Sequence, residues 1–213
     1  MIVQKTDYAK HADFLSKKQI LDALTPFLYP AKKVPDTFVS AKVKGMDDIV
    51  NSFFLNIGGN YTPLLKSTQQ TYEITEKEIF DHISHTDYGY TLSPIMDILK
   101  ELNLSETLAI PDDDTNLPLY VLTNNTCSYG ASAIANPVVL QKLREKFKCS
   151  LYIFPSSVHE VLLIPVQNIP NAVPNELADM VKEINHNVVG PDEFLSDHVY
   201  LYDYEQNCIR TLA

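Results

Sequence analysis

Four stretches decide the fold of this chain: LYVLTN at residues 119–124, GASAIANP at 130–137, SLYIFPSSVHEVLLIPV at 150–166 and SDHVYLYDY at 196–204. Their apolar runs are short, bounded by turn residues and rich in β-branched and aromatic side chains, which is typical of strands. Pro137 and Pro174 occupy first helical positions in the segments that separate them. The sequence therefore predicts an α+β domain over residues 118–213, built as a largely antiparallel sheet with helices on one face.

Finer assignments follow within this domain. Residues 131–135 are predicted to form a strand beside residues 119–122, across a loop that contains Gly130. Residues 208–212 are predicted to add a last short strand. The helix that begins at Pro174 carries four apolar residues on one face, as a helix packed on a sheet requires. These residues are Leu177, Met180, Val181 and Ile184.

The N-terminal part, residues 1–110, carries a different set of signals. Helix starts are indicated by two capping-box patterns and by two prolines at first helical positions, at Ser16, Thr75, Pro63 and Pro94. Residues 37–57 alternate loosely around a possible turn at Gly45, which favours a hairpin, although a helical period also fits residues 47–57. The sequence therefore predicts a mostly helical N-terminal region with a possible hairpin.

Composition excludes several classes of protein. The chain has 213 residues, of which 45% are hydrophobic and 21% charged, and its formal net charge is −10. Proteins that bind a phosphate backbone need clustered lysine and arginine, so this charge argues against direct nucleic-acid binding and against docking on an anionic membrane. No apolar stretch is long enough to span a membrane. We expect a globular protein with one main core.

The cysteines indicate the compartment. Cys127, Cys149 and Cys208 are an odd number at no metal-like spacing, which argues against a disulfide framework and favours a reducing environment. The first residues lack the apolar segment of a signal peptide. We therefore expect a cytoplasmic protein of undefined oligomeric state.

A polar cluster offers the first candidate site. His159 and Glu160 follow two serines, Ser156 and Ser157, and Asp197-His198 stands at the entry to a later strand. If they converge, His159, Glu160, Asp197 and His198 are candidate catalytic residues of a hydrolase or a metalloenzyme. The alternative is structural, because hydroxyl and carboxylate side chains in turns also satisfy backbone N–H groups.

The second candidate is an acidic surface. Residues 173–207 hold eight acidic residues against one lysine. Three tyrosines alternate within this stretch, so their side chains lie on one side of a strand. If that side is exposed it suits a protein partner, whereas the alternative is that it packs on the helix that begins at Pro174. The candidate partner-binding residues are Tyr200, Tyr202, Tyr204, Asp203 and Glu205.

Other motifs favour structural explanations. His82 and His85 stand three apart near a helix end, a spacing that fits zinc but also fits histidines placed at the negative end of a helix dipole. Residues 112–114 are three aspartates between prolines and indicate an exposed linker rather than a calcium loop. Neither a phosphate-binding loop nor a dinucleotide fingerprint is present, so no cofactor is expected.

Several blocks resemble a known family: residues 120–124 (YVLTN), 130–131 (GA), 155–165 (PSSVHEVLLIP), 195–200 (LSDHVY), and 63–83 with ITEKE at 74–78. The chain is similar here to an uncharacterised domain-of-unknown-function family of anaerobic Gram-positive bacteria. The resemblance covers about two-thirds of the chain and implies no activity, substrate or catalytic residue. It implies a bacterial setting near mobile genetic elements.

Two functions are therefore expected as alternatives. The first is a non-catalytic interaction protein that binds a protein partner through an acidic, tyrosine-bearing surface, with a DNA-mimic inhibitor as its variant. The second is a hydrolase or metalloenzyme that uses the histidine and carboxylate cluster. The second requires the four side chains to converge on one cleft, and the first requires an open acidic patch.

Overall fold

The structure is a computed structural model that describes residues 15–101, 119–155 and 157–213. Two antiparallel sheets, of four and six strands, form its frame. The sequence-predicted α+β class is confirmed. The predicted linker at residues 112–114 and Ser156 lie outside the described residues.

Most helices begin within one residue of their predicted starts, but the helix expected to begin at Pro63 begins at Lys66, and Pro63 instead ends a strand. They are α1 (Lys17–Asp22), α2 (Lys66–Thr71), α3 (Glu76–His85), α4 (Ile95–Glu101), α5 (Pro137–Phe147) and α6 (Pro174–Val188). Ser16 and Thr75 close full capping boxes at α1 and α3. The Asn136 side chain accepts hydrogen bonds from the first turn of α5. In each case the side-chain oxygen satisfies N–H groups that the helix itself leaves without partners.

The first sheet is built from a contiguous part of the chain. Its strands are β1 (Leu24–Pro30), β2 (Ser40–Val43), β3 (Met46–Ile57) and β4 (Asn60–Pro63). The long β3 pairs with β1 on one side and with β2 and β4 on the other. The β2–β3 turn contains Gly45 at φ +83°, a conformation that glycine adopts without a steric cost. The predicted hairpin is therefore present, but it belongs to a four-stranded sheet, so the expectation of a mostly helical N-terminal region is met only in part.

The second sheet carries the stretches quoted first. Its strands are β5 (Tyr90–Pro94), β6 (Tyr120–Asn124), β7 (Leu151–Phe154), β8 (Val161–Pro165), β9 (Tyr200–Asp203) and β10 (Cys208–Thr211). Their order is β10-β9-β7-β8-β6-β5, and every pair is antiparallel. The predicted boundary at residues 110–118 therefore falls between two paired strands, β5 and β6.

Helices cover both faces of this sheet. Leu151 and Ile153 of β7 pack with α5, whereas Tyr152 and Phe154 of the same strand pack with α6. Successive strand residues point to opposite faces, so the two helices lie on opposite sides of the sheet. The prediction placed the helices on one face, and the continuous burial of β7 explains the difference.

The segment after β6 differs from its prediction. Gly130–Ala135, expected to form a strand, is a buried 3-10 helix. A Cβ at Gly130 would lie 2.5 Å from the backbone nitrogen of Asn124 and 2.8 Å from the carbonyl oxygen of His159. The chain approaches both backbones there, which leaves room for a tight turn of small residues beneath the sheet and none for a further strand.

One core unites both sheets. Leu28, Met46 and Ile49 of the first sheet pack in the same cluster as Leu163 and Tyr200 of the second. A second cluster fills the space between the first sheet and the helices α1 and α3. The two sheets are therefore held together by shared apolar burial, the main source of stability in a domain of this size.

Candidate functional site

His159, the first candidate catalytic residue, is anchored on both sides of its ring. Its Nδ1 accepts a hydrogen bond from the backbone N–H of Tyr129 at 3.2 Å, and its Nε2 lies 3.6 Å from Oε1 of Glu193. Its backbone N–H donates to Oγ of Ser157 at 2.9 Å, and its carbonyl accepts from the Thr123 hydroxyl at 2.8 Å. This histidine joins the loop before β8 to its neighbours, as the structural alternative predicts.

Asp197 and His198 lie away from His159, at the opposite end of a short antiparallel pairing between two loop segments. Pro155, Ser157 and Val158 pair antiparallel with residues 193–196, so His159 lies next to Glu193 while residues 197–198 extend beyond the other end. Asp197 accepts a hydrogen bond from Nδ2 of Asn185 at 2.8 Å. The exposed His198 ring contacts the carbonyl of Ala213 at 3.1 Å.

The four candidate catalytic side chains therefore make no direct contacts with one another that would form a shared site. No hydrogen bond or ion pair joins any two of them, and the half-buried Glu160 makes neither with a described residue. Within residues 15–101, 119–155 and 157–213, no three His, Cys, Asp or Glu side chains are grouped so that they could hold a metal ion.

A buried hydroxyl network lies close by. Asp48 of β3 accepts hydrogen bonds from the hydroxyl of Ser196, at 2.7 Å, and from the phenol of Tyr200. Ser196 also accepts from the backbone N–H of His198 at 3.0 Å. Burial raises the pKa of Tyr200 well above its usual value, so the phenol stays neutral. We name residues 157–160 and 193–198, with Asp48 and Tyr200, the polar seam.

The tyrosines of β9 occupy the interior. Tyr200 and Tyr202 are 0% and 1% exposed, and the Tyr202 hydroxyl donates to Oδ1 of Asn207 at 2.6 Å. Tyr204 is half-buried, and the guanidinium of Arg144 lies 4.4 Å from its ring centroid. The alternation predicted from the sequence is present, but it faces the core that α5 covers. The Tyr200 and Tyr202 rings thus offer no contact area to a partner.

The acidic candidates beside them lie at the β9–β10 turn. Asp203 is half-buried and accepts a hydrogen bond from the backbone N–H of Gln206 at 3.0 Å, which closes the turn. Glu205 is exposed. These carboxylates belong to the surface, but the two buried tyrosines expected beside them do not.

Helix α6 exposes apolar side chains that the sequence analysis assigned to packing. Its buried side consists of Ala178, Val181 and Asn185. Met180 and Ile184, expected on the packed face, are each nearly half-exposed. The same stripe extends to Val173 before the helix and to Val188 at its end. The signal was present in the sequence, because these apolar positions span a wider arc than one packed face needs.

Acidic side chains border this stripe. Glu176, Asp179 and Glu183 are exposed along α6, with Lys182 as the lysine of the helix. At about 100° per residue, Glu176 and Glu183 flank the stripe on the side away from the sheet. We name the exposed stripe and these three acids the α6 face.

The two histidines of α3 make hydrogen bonds at the C-terminal end of that helix. The His82 ring lies 3.2 Å from the Thr86 hydroxyl, and burial lowers the pKa of its imidazole. Nδ1 of His85 lies 2.7 Å from the carbonyl of Asp81. These contacts match histidines at a helix C-terminus, the alternative given beside the zinc hypothesis.

Comparison with known proteins adds the family. Across the part of the chain that is described, no helix is both long and apolar enough to cross a bilayer. No curated protein and no solved structure matches the chain. The model of DUF5688, described as a family of unknown function, matches residues 58–204, which run from β4 through β9 and include α6 and all of the polar seam except Asp48. Because this match covers more than half of the sequence, the chain belongs to DUF5688, a family of unknown function.

Proposed function

We propose that this protein is a non-catalytic interaction protein that binds a basic protein partner through the α6 face. The observation that carries the proposal is the exposed apolar stripe of Val173, Met180, Ile184 and Val188, with Val188 76% exposed. At about 100° per residue, these positions fall within an arc of about 80°. Contiguous exposed apolar surface on a soluble protein commonly marks an interaction site.

The charge beside the stripe specifies the partner. Three carboxylates line the helix against one ammonium group, and Asp192 and Glu193 follow in the next turn of chain. A partner with lysine or arginine beside apolar side chains matches this surface in both chemistry and sign. A basic amphipathic helix laid along α6 has that arrangement, with apolar anchors spaced three and four residues apart.

The apolar stripe also favours this proposal over its two rivals. A DNA-mimic surface presents charge without a central row of half-exposed apolar side chains, so it explains the acids and leaves the stripe without a role. The hydrolase or metalloenzyme hypothesis needs convergence of the histidine and carboxylate cluster, whose members contact other groups instead.

A peptide-binding measurement tests the proposal. The probe is a fluorescently labelled amphipathic helix of leucine and lysine, and its counterpart with glutamate in place of lysine is the charge control. We expect the lysine peptide to bind and the glutamate peptide not to bind. The double variant Met180→Ser, Ile184→Ser removes two apolar anchors from the exposed side, and we expect it to weaken binding at least tenfold, equivalent to about 1.4 kcal/mol.

Two control variants separate this surface from nonspecific adsorption. Ile57→Ser changes a comparably exposed apolar residue, 44% exposed, on the first sheet and should leave binding unchanged. Glu176→Gln with Glu183→Gln should weaken binding and reduce its dependence on salt. Equal loss in Ile57→Ser and in the α6 double variant overturns the proposal. Binding that depends on the two glutamates but not on Met180 and Ile184 points to the DNA-mimic variant instead.

A further inference from the structure

A cleft between the two sheets is independent of the α6 face. It has a volume of about 300 Å³. One wall comes from β1, β3 and β4, and the other from the start of β5 and residues 124–132. Its lining contains aromatic rings from both walls: Phe27, Tyr61, Tyr88, Tyr90 and Tyr129. Clefts at such junctions, lined by rings and a few polar groups, are where proteins commonly bind small molecules.

The loop that forms one wall is internally braced. Oδ1 of Asn124 accepts hydrogen bonds from the Thr126 hydroxyl at 2.9 Å and from the Ser128 backbone N–H at 3.2 Å, and its Nδ2 donates to the Ser128 carbonyl at 2.8 Å. Two residues of this loop hold left-handed backbone conformations, Cys127 at φ +50° and Tyr129 at φ +54°. Such conformations in residues other than glycine each cost about 1–3 kcal/mol and cluster at functional sites.

Tyr129 fixes the loop against the rest of the molecule. Its ring stacks on Phe27 with centroids 4.1 Å apart, and its backbone N–H is bound by His159. On the floor of the cleft the Tyr90 and Ser132 hydroxyls lie 3.1 Å apart. The cleft is therefore formed in advance, which lowers the conformational entropy that binding would lose.

Several polar groups at this cleft are not used by the fold. The Asn125 amide and the hydroxyls of Thr25 and Ser128 make no side-chain hydrogen bond to any residue that the structure describes. Together they offer both donors and acceptors. At the mouth the Tyr61 ring is 48% exposed, so a planar aromatic face is open to solvent beside them.

The charge of the lining narrows the ligand class. Asp87 is the charged side chain among the lining residues, and its Oδ1 accepts from the backbone N–H of Gly89 at 2.8 Å. The lining has no lysine, arginine or histidine among its described residues, so phosphate and other anionic groups would meet a carboxylate without a counter-charge. Its chemistry suits a neutral ligand that donates and accepts many hydrogen bonds.

We propose that this cleft binds a neutral saccharide. The apolar C–H face of a sugar ring would stack on Tyr61, and its hydroxyls would bond to the Asn125 amide, the Ser128 hydroxyl and the open oxygen of Asp87. Sugar hydroxyls both donate and accept, which matches the mixed set of free groups, and aromatic platforms supply the apolar contact.

Titrations observed by ¹⁵N NMR test the proposal, with maltose, cellobiose and N,N′-diacetylchitobiose as neutral saccharide probes. We expect at least one of them to shift the backbone signals of Gly89, Asn125 and Ser128. Tyr61→Ala and Asn125→Ala should each weaken that binding about tenfold. Ile57→Ala, which removes an exposed apolar residue outside the lining, is the matched control and should bind as the parent does.

Three further probes represent other ligand classes and can contradict the proposal. Uridine tests a nucleoside, choline an organic cation and glucose 6-phosphate an anionic sugar. Stronger binding of any of these three than of the neutral disaccharides overturns the saccharide assignment. So does the absence of shifts with all three disaccharides, or binding that Tyr61→Ala leaves unchanged while its spectrum shows a folded protein.

Discussion

The polar seam and the cleft contain similar side chains in opposite states. In the seam, Asp48, Ser196 and Tyr200 bond to one another, and His159 is held on both sides of its ring. In the cleft, Asn125 and Ser128 keep side-chain groups that no described residue uses. A concentration of polar residues therefore identifies a binding site only where the fold leaves their hydrogen-bonding capacity free, because satisfied groups stabilise the fold instead.

The largest expected loss of stability comes from a change in the backbone that supports the cleft. Gly130→Ala would bring a Cβ within 2.4 Å of the Thr123 hydroxyl oxygen and 2.5 Å of the Asn124 nitrogen. Because backbone atoms cannot move aside as a flexible side chain can, we expect a loss of about 3 kcal/mol in the free energy of unfolding. Urea denaturation followed by circular dichroism measures it.

A second glycine provides the control for that variant. Gly59 has a left-handed φ of +85°, but a Cβ there would meet no atom within 4 Å. Gly59→Ala should therefore cost only the conformational term, about 1 kcal/mol. If Gly130→Ala is as mild as Gly59→Ala, the cleft loop is adaptable, and its rigid description is wrong.

A matched pair of serines compares the two regions directly. Ser196→Ala removes the hydroxyl that donates to Asp48 and accepts from His198, and leaves a half-buried carboxylate with one partner fewer. We expect a loss of about 2 kcal/mol. Ser128→Ala in the cleft removes a hydroxyl without a described partner and should change stability by less than about 0.5 kcal/mol. Chemical denaturation of both variants would contradict the comparison if the two losses were equal.

The ionisation of one buried tyrosine in each region gives a third comparison, through the dependence of stability on pH. Burial raises the pKa of Tyr90, beside the cleft, from 10.0 to about 12, and burial also raises the pKa of Tyr200 in the seam. A phenol with a raised folded-state pKa supports stability fully below pH 10, and that support is lost as pH rises through the folded pKa. Each phenol should steepen the alkaline loss by up to about 1.4 kcal/mol per pH unit, from pH 10 to about 12 for Tyr90.

Phenylalanine variants measure each contribution. Stability of Tyr90→Phe and Tyr200→Phe, determined by denaturation at pH 8 to 12, should decline less steeply with pH than stability of the parent. Absorbance of tyrosinate, recorded in parallel, should show fewer phenols that titrate late. A parent slope that neither substitution changes would mean that these phenols ionise without unfolding, and that the two sites are wetter than their burial implies.

The smallest expected difference in stability is between variants of the two histidines of the polar seam. His159→Ala leaves the Tyr129 N–H without its acceptor, and the 3.6 Å contact of Nε2 with the exposed Glu193 carboxylate adds little, so we expect a loss of about 1 kcal/mol. His198→Ala breaks an exposed contact with the Ala213 carbonyl and a distant edge contact with the Tyr200 ring, centroids 6.2 Å apart, and stability should fall within about 0.5 kcal/mol of the parent. A larger loss in His198→Ala than in His159→Ala would place the structural role at the wrong end of the seam.

The sequence was informative wherever a local rule determines the structure. The capping boxes at Ser16 and Thr75 and the proline starts of α5 and α6 needed only neighbouring residues, and the structure confirms them. Alternation along β9 correctly placed Tyr200 and Tyr202 on one side of the strand. Which side is buried depends on α5 and β3, which are distant in sequence, and local pattern carries no such information.

The two sites proposed from the structure were missed for related reasons. The apolar stripe of α6 was visible as a period, but its partial exposure depends on how far the helix rolls over the sheet. The cleft was not visible, because Tyr61 lies in β4 of the first sheet and Asn125 in the loop after β6 of the second, and the two meet only in the fold. The polar run at residues 123–130 was the one local signal, and it is equally typical of an ordinary loop.

The bond between Asp48 and Tyr200 also bears on the order in which the molecule assembles. It joins residues 152 positions apart, whereas every strand of the first sheet comes from residues 24–63. Short-range pairings close with the smaller entropic cost, so the first sheet should gather early and this bond late. Substitutions at Asp48 should then accelerate unfolding and leave the refolding rate almost unchanged. This bond would therefore set how long the native state persists before it unfolds.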